Sequence, residues 1–228
     1  MTGKREIISL INISTSKEQA ALFGEKNVLQ QLNWQMKQDD QVCMQIQKDN
    51  GMRQFMALLQ GKLLPQSGSI EVNQTRIDDL PTGMQSKLLQ NHIGFINAGE
   101  QLDPFLTVLE NVYMPVWGVT KAVDQYRIQI QAYLHHIGLD GMMDRFPHQI
   151  TPLQNVQVYQ LRAFIRQPAL VVVDWSNAVI YQTFEWLSTL ANLTQTGLLL
   201  LIPACMTPPQ EGMACHVMRN GKICPEEG

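Results

Sequence analysis

Two short stretches, residues 169–174 (ALVVVD) and 197–202 (GLLLLI), are apolar almost without interruption. A strand that alternates apolar with polar residues keeps one face in water. One that does not alternate must be covered on both faces. These runs therefore read as strands buried on both faces. Residues 6–13 (EIISLINI) also read as a strand. Residues 28–36 (VLQQLNWQM) alternate around Leu32, Trp34 and Met36, which suits a half-buried strand. Asp39 and Asp40 mark a turn before 42–46 (VCMQI), a short buried strand, and 64–73 (LPQSGSIEVN) is a turn followed by a strand. A helix is expected over 52–60, closed by Gly61, and another over 82–91 before a strand at 92–97. From 107 to about 148 the spacing is mainly helical, punctuated by Gly138 and Gly141. Further helices are expected over 152–166 and 178–191, and 216–223 (HVMRNGKI) reads as a hairpin. Strands at both ends with a helical block between them imply an α/β core carrying an α-helical lobe.

Composition narrows the function classes. The chain has 228 residues, of which 45% are hydrophobic, enough for a core and too many for a disordered chain. Charged residues make up only 16%, and the net charge of -3 provides no basic field for nucleic acid. The best apolar run, 197–205, falls far short of the roughly 20 residues that a membrane-spanning helix needs. The opening segment turns polar too soon for a signal peptide. Cys43, Cys205, Cys215 and Cys224 show neither a CxxC pair nor zinc-ligand spacing, so four reduced thiols in a cytosolic protein, and no metal site, are expected.

Five segments carry a resemblance. They are ALFGEKNVLQQLNW (21–34), LLQGKLLPQSGSIEVN (58–73), LDPFLTVLENVYMPV (102–116), RFPHQITPLQNVQVYQLRAFIRQPALVVVDW (145–175) and HVMRNGKI (216–223). In this order and at nearly this spacing, they resemble the nucleotide-binding domain of ABC transporters. The likeness is closest to the bacterial group serving lipoprotein release, macrolide export and cell division. It implies a single P-loop NTPase-like α/β domain with an N-terminal antiparallel β portion. The core would comprise about 1–97 and 167–228, and the inserted helical lobe about 98–166. It also places Phe23 where the family keeps an aromatic that stacks on adenine; packing in the framework serves that position equally.

The same resemblance exposes a chemical mismatch. The family's phosphate loop, GxxGxGK[ST], falls on Ile46, Gln47, Lys48, Asp49, Asn50, Gly51, Met52 and Arg53. Side chains replace two of the glycines whose bare backbone would cradle phosphate, Met52 replaces the lysine, and Arg53 replaces the hydroxyl that would bind magnesium. The Q-loop Gln becomes Ala98, beside Asn97. The LSGGQ signature becomes Ile150, Thr151, Pro152, Leu153 and Gln154, with Thr151 and Pro152 suited to an N-cap and first helical position. The Walker B aspartate persists as Asp174, but Trp175 follows it, and an indole cannot accept a proton. The D-loop is unrecognisable at 176–181, and the switch histidine is Ala204 or Cys205.

The resemblance then implies a domain without catalytic residues, leaning away from an enzyme. No cofactor is expected, and magnesium ATP would bind weakly if at all. The implied partners are an integral-membrane permease and a second ATPase domain, in a homodimer or a heterodimer, with no nucleic acid. The implied place is the inner face of the cytoplasmic membrane, held through the membrane partner. Leu106, Val108, Leu109, Val112 and Met114 would form the permease-docking face, and Trp175, Met52 and Ile46 would partly fill the vacated nucleotide pocket. Two alternatives stand beside this reading: an active or weakly active ATPase using unconventional groups, and a soluble binding protein detached from transport.

Overall fold

The two uninterrupted apolar runs form β7 (Leu170–Asp174) and β8 (Gly197–Pro203), paired in parallel from Leu170 opposite Gly197 to Asp174 opposite Leu201. The computed structural model describes residues 5–46, 50–97, 99–117, 123–175, 182–211 and 213–225. Next to β8 lies β3 (Gln41–Ile46), again parallel, and next to β7 lies β6 (Ile93–Ile96). A hairpin of β9 (Ala214–Arg219) and β10 (Lys222–Pro225) completes a six-stranded sheet in the order β10-β9-β3-β8-β7-β6. A second sheet is antiparallel, in the order β2-β1-β4-β5, built from β1 (Glu6–Ser14), β2 (Leu32–Lys37), β4 (Ser67–Val72) and β5 (Thr75–Arg76). This is the expected α/β core with an antiparallel portion.

Successive side chains of β7 and β8 divide between two cores, which explains why neither strand alternates. Leu170, Val172, Leu199 and Leu201 join Ile8, Leu10, Trp34 and Ile70 of the antiparallel sheet and Phe55 and Leu58 of helix α2 (Met52–Leu59). Val171, Val173, Leu198 and Leu200 join the other core. That second core receives α4 (Val108–Tyr113), α5 (Val123–His136), α6 (Pro152–Leu161) and α7 (Phe184–Thr194). Two further helices are α1 (Lys17–Leu22) and α3 (Thr82–His92).

Three boundaries depart from the sequence reading for local reasons. α6 stops at Leu161 because the following amides bond three residues back, Ala163 to Gln160 and Phe164 to Leu161, tightening the chain while Phe164 and Ile165 turn into the core. β2 begins at Leu32 because Gln31 takes φ 45 and residues 29 and 30 bond instead to Thr15 and Gly221. α1 has a reciprocal capping box between Ser16 and Gln19, a local signal that the alternation around it obscured. The helix expected over 178–191 starts partly outside the described residues, and its described part is α7.

The expectation of four reduced thiols is corrected. Cys43 and Cys215 are disulfide-bonded, while Cys205 and Cys224 are free and exposed. The parallel register of β3 and β9 sets the two bonded residues opposite each other, with Cα atoms 4.7 Å apart, despite a separation of 172 residues.

The β9–β10 turn places Asn220 at φ 49 and Gly221 at φ 74, the left-handed pair that a two-residue hairpin requires. A Cβ at Gly221 would strike the Val28 carbonyl oxygen. Gly221→Ala is therefore expected to lower stability by about 2–4 kcal/mol, read from urea denaturation, whereas Asn220→Gly is expected to change it by less than about 1 kcal/mol.

Candidate functional site

α2 is the helix whose head corresponds to the phosphate-loop position. It begins at Gly51, φ 91, which supplies no side-chain cap. The first backbone N–H groups of a helix lack intrahelical acceptors and carry the positive end of its dipole, so they attract an anion. That anion comes from the chain itself. Glu25, 7% exposed, accepts from the Arg53 N–H at 3.0 Å, the Gln54 N–H at 3.3 Å and the Gln54 side-chain amide at 2.8 Å. The amide of buried Gln54 also donates to the Asn27 carbonyl at 2.7 Å. The Thr15 hydroxyl donates to the Gln54 side-chain oxygen Oε1 and accepts from the Leu29 N–H at 2.9 Å. Segment 25–29 is thus bound across the helix head by a continuous polar network.

Apolar packing closes the same place. Leu29 is fully buried, and a Cβ at Gly51 would lie 2.7 Å from its side chain. Asn50 donates to the Met218 carbonyl and accepts from the Asn220 N–H, both at 3.4 Å, tying the loop to the C-terminal hairpin. Arg53 directs its guanidinium to the Phe23 carbonyl at 3.0 Å. Phe23 is half-buried against the core that contains α2, the framework role allowed for it. Gln47, Lys48 and Asp49 lie outside the described residues, as do Ala98 and the D-loop stretch 176–181.

Trp175 does not join Met52 and Ile46, and that expectation is corrected. Met52 and Ile46 pack in the core with α2, whereas fully buried Trp175 packs in the other core, edge-on to Phe184 with ring centres 5.9 Å apart. The Trp175 N–H bonds the Leu201 carbonyl at 2.9 Å, which carries the backbone pairing one residue past Asp174. Ala204 and Cys205 follow β8 immediately, and the Ala204 N–H bonds the Ile46 carbonyl at 3.1 Å. These residues therefore sit beside the start of the phosphate-loop position, and neither carries an imidazole.

The signature position is a helix start and uses its groups locally. The Thr151 hydroxyl accepts from the Gln154 N–H at 3.2 Å, and the Gln154 side chain accepts from the Thr151 N–H at 2.8 Å. Pro152 occupies the first helical position, where no donor is needed, and Leu153 follows on α6. Further along α6, the Tyr159 hydroxyl donates to the Asn97 carbonyl at 2.7 Å. Burial, together with the Glu100 carboxylate beside it, pushes the Tyr159 phenol well above its ordinary range. The Arg162 guanidinium, just past the end of α6, donates to the Gln101 carbonyl at 3.2 Å, so Tyr159 and Arg162 together hold the segment after β6.

Between that segment and α6 opens a cleft of about 510 Å³, mainly apolar, lined by Gly99, Glu100, Leu102, Pro104, Val156 and Tyr159. The proposed docking set is corrected at two positions. Val108 and Val112 are fully buried, because the inward side of α4 packs against α6 and the lobe core. Leu106, Leu109 and Met114 are half-buried. Phe105, 87% exposed and next to Pro104, is an exposed aromatic that the docking set did not include.

The family model for the ABC transporter matches residues 29–175, more than half of the chain. The chain belongs to the ABC transporter family. Relatives of this ABC-family chain include the lipoprotein-releasing system ATP-binding protein LolD of Saccharophagus degradans, 28% identical over 149 residues, or 64% of each chain. The ABC transporter ATP-binding protein YtrE of Bacillus subtilis is 25% identical over 151 residues, 66% of this chain and 65% of that one. The match thus spans just under two thirds of these relatives. Among solved structures, cbiO1 from Clostridium perfringens, part of the ABC transporter complex cbiONQ, superposes with a TM-score of 0.78 at 14% identity, covering 97% of this chain and 88% of that one. A dimeric ATP-binding cassette in a post-hydrolysis state, bound to ADP and Pi, gives 0.68 at 18% identity, covering 97% and 98%. The structural likenesses establish the ABC ATPase fold. No helix among the described residues is long and apolar enough to cross a membrane.

Sequence reasoning missed Glu25 and Gln54. The one available signal was negative: α2 starts at Gly51 without a side-chain cap of its own, so its orphan donors require a distant partner. Glu25→Ala is expected to cost about 1–3 kcal/mol, because it strands donors that are already desolvated. Thr151→Ala, the loss of an ordinary cap, is expected to cost about 1 kcal/mol, and Thr151→Ser a few tenths. Parallel urea melts of the three variants check this order.

Proposed function

We propose that this chain is an ABC-family subunit that does not hydrolyse ATP and serves as a scaffold or regulator, docked on an integral-membrane permease or on a partner ATPase domain. The observation that carries this reading is the Glu25 carboxylate at the head of α2, where it takes the Arg53 and Gln54 N–H groups that a bound phosphate would need. A fixed internal anion also repels a polyphosphate. Phosphoryl transfer depends almost entirely on positioning and charge stabilisation. In this chain the lysine position holds Met52, the base position holds buried Trp175, and the signature hydroxyl of Thr151 caps its own helix. In a head-to-tail pair, this subunit would thus weaken both the site that takes its phosphate loop and the site that takes its signature. Magnesium ATP is at most a weak ligand.

The cleft beside α6 supports docking on a membrane partner. It is apolar, it adjoins exposed Phe105, and the Tyr159 and Arg162 hydrogen bonds hold its two walls together. The partner would place the subunit at the inner face of the cytoplasmic membrane, in a homodimer or a heterodimer.

Purified protein titrated with magnesium ATP to millimolar concentration is expected to show a melting-temperature shift below about 1 °C, since only a ligand that binds the native state raises stability. Phosphate release is expected to stay at the no-enzyme background and to be unchanged by Asp174→Asn. Turnover that this substitution abolishes would falsify the proposal.

A further inference from the structure

The Cys43–Cys215 bond joins two features that lie against the phosphate-loop position. Cys43 is fully buried in β3, three residues before Ile46, where the loop begins. Cys215 is half-buried in β9, whose turn accepts the Gln30 N–H at Gly221 and donates to Asn50 from Asn220. The register, Cys43 opposite Cys215, and the 4.7 Å between their Cα atoms come from the backbone pairing of two parallel strands, so the thiols meet whether or not they are joined. On the proposed placement at the cytoplasmic face, on which this reading rests, a disulfide is usually transient and redox-sensing rather than structural. We infer that Cys43 and Cys215 form a reversible thiol–disulfide pair that fastens the C-terminal hairpin to β3, beside the phosphate-loop position, and makes the stability of the fold follow the surrounding thiol–disulfide balance.

With oxidised glutathione as oxidant, the step balances. The Cys215 thiolate, the more accessible of the two, attacks one glutathione sulfur, breaks the glutathione S–S bond and releases one glutathione thiolate. The Cys43 thiolate then attacks the Cys215 sulfur, forms the protein disulfide and expels the second glutathione. The two cysteines lose two electrons and two protons overall, and glutathione disulfide gains them. The pair closes a loop of 172 residues, so its loss releases much unfolded-chain entropy. The inference does not depend on whether the chain hydrolyses ATP.

The full chain is incubated with oxidised glutathione, alkylated in denaturant without reductant, and mapped by mass spectrometry. The expected result is alkylation of Cys205 and Cys224 only, with the Cys43 and Cys215 peptides linked and released by dithiothreitol. The oxidised protein is expected to melt about 5–10 °C above the reduced protein. That gap is expected to vanish in Cys215→Ser and in Cys43→Ala, and either variant alone suffices for the comparison. Alkylation of all four thiols, a link through Cys205 or Cys224, or a Cys43–Cys215 link with equal melting temperatures would each overturn the inference.

Discussion

The structure turns on one buried carboxylate. Glu25 satisfies the first-turn donors of α2, and a helix head buried without an acceptor is costly. Through Gln54 the same network reaches Asn27 and Thr15, and through Thr15 it reaches Leu29. The stretch between β1 and β2 is thereby held against α2, and Leu29 is pressed onto Gly51. The polar bonds and the apolar contact act on the same segment: Glu25 is only 7% exposed, and Leu29 is fully buried.

Around this point the molecule is organised by a sheet with two buried faces. One face, with the antiparallel sheet and α2, forms a core that contains Met52. The other, with the lobe helices and α7, forms a core that contains Trp175. Residues that flank a single nucleotide in the family's usual chemistry are drawn here into separate hydrophobic cores. An indole buried beside Phe184 contributes about 1.5–3 kcal/mol through burial.

The lobe has a different character. Capping boxes at Thr107 and Thr151 start its helices, and hydrogen bonds from Tyr159 and Arg162 tie it to the segment after β6. What remains available is surface: the cleft along α6 and exposed Phe105. At the head of α2 the described polar groups bond within the chain, whereas the lobe keeps a mainly apolar cleft at its surface.

Local pattern determined much of this protein. The apolar runs 169–174 and 197–202 read as doubly covered strands, 216–223 as a hairpin, and Thr151-Pro152 as a helix start, and each forms as read. Each signal lies within a few residues of what it specifies. Tertiary structure alone decided what depended on distant partners. Glu25 meets α2 across 28 and 29 residues, Cys43 meets Cys215 across 172, and Val108 and Val112 turn inward only because α6 covers them. Periodicity reports which face of an element is apolar. It does not report which other element comes to lie on that face, because that is settled by the chain path as a whole.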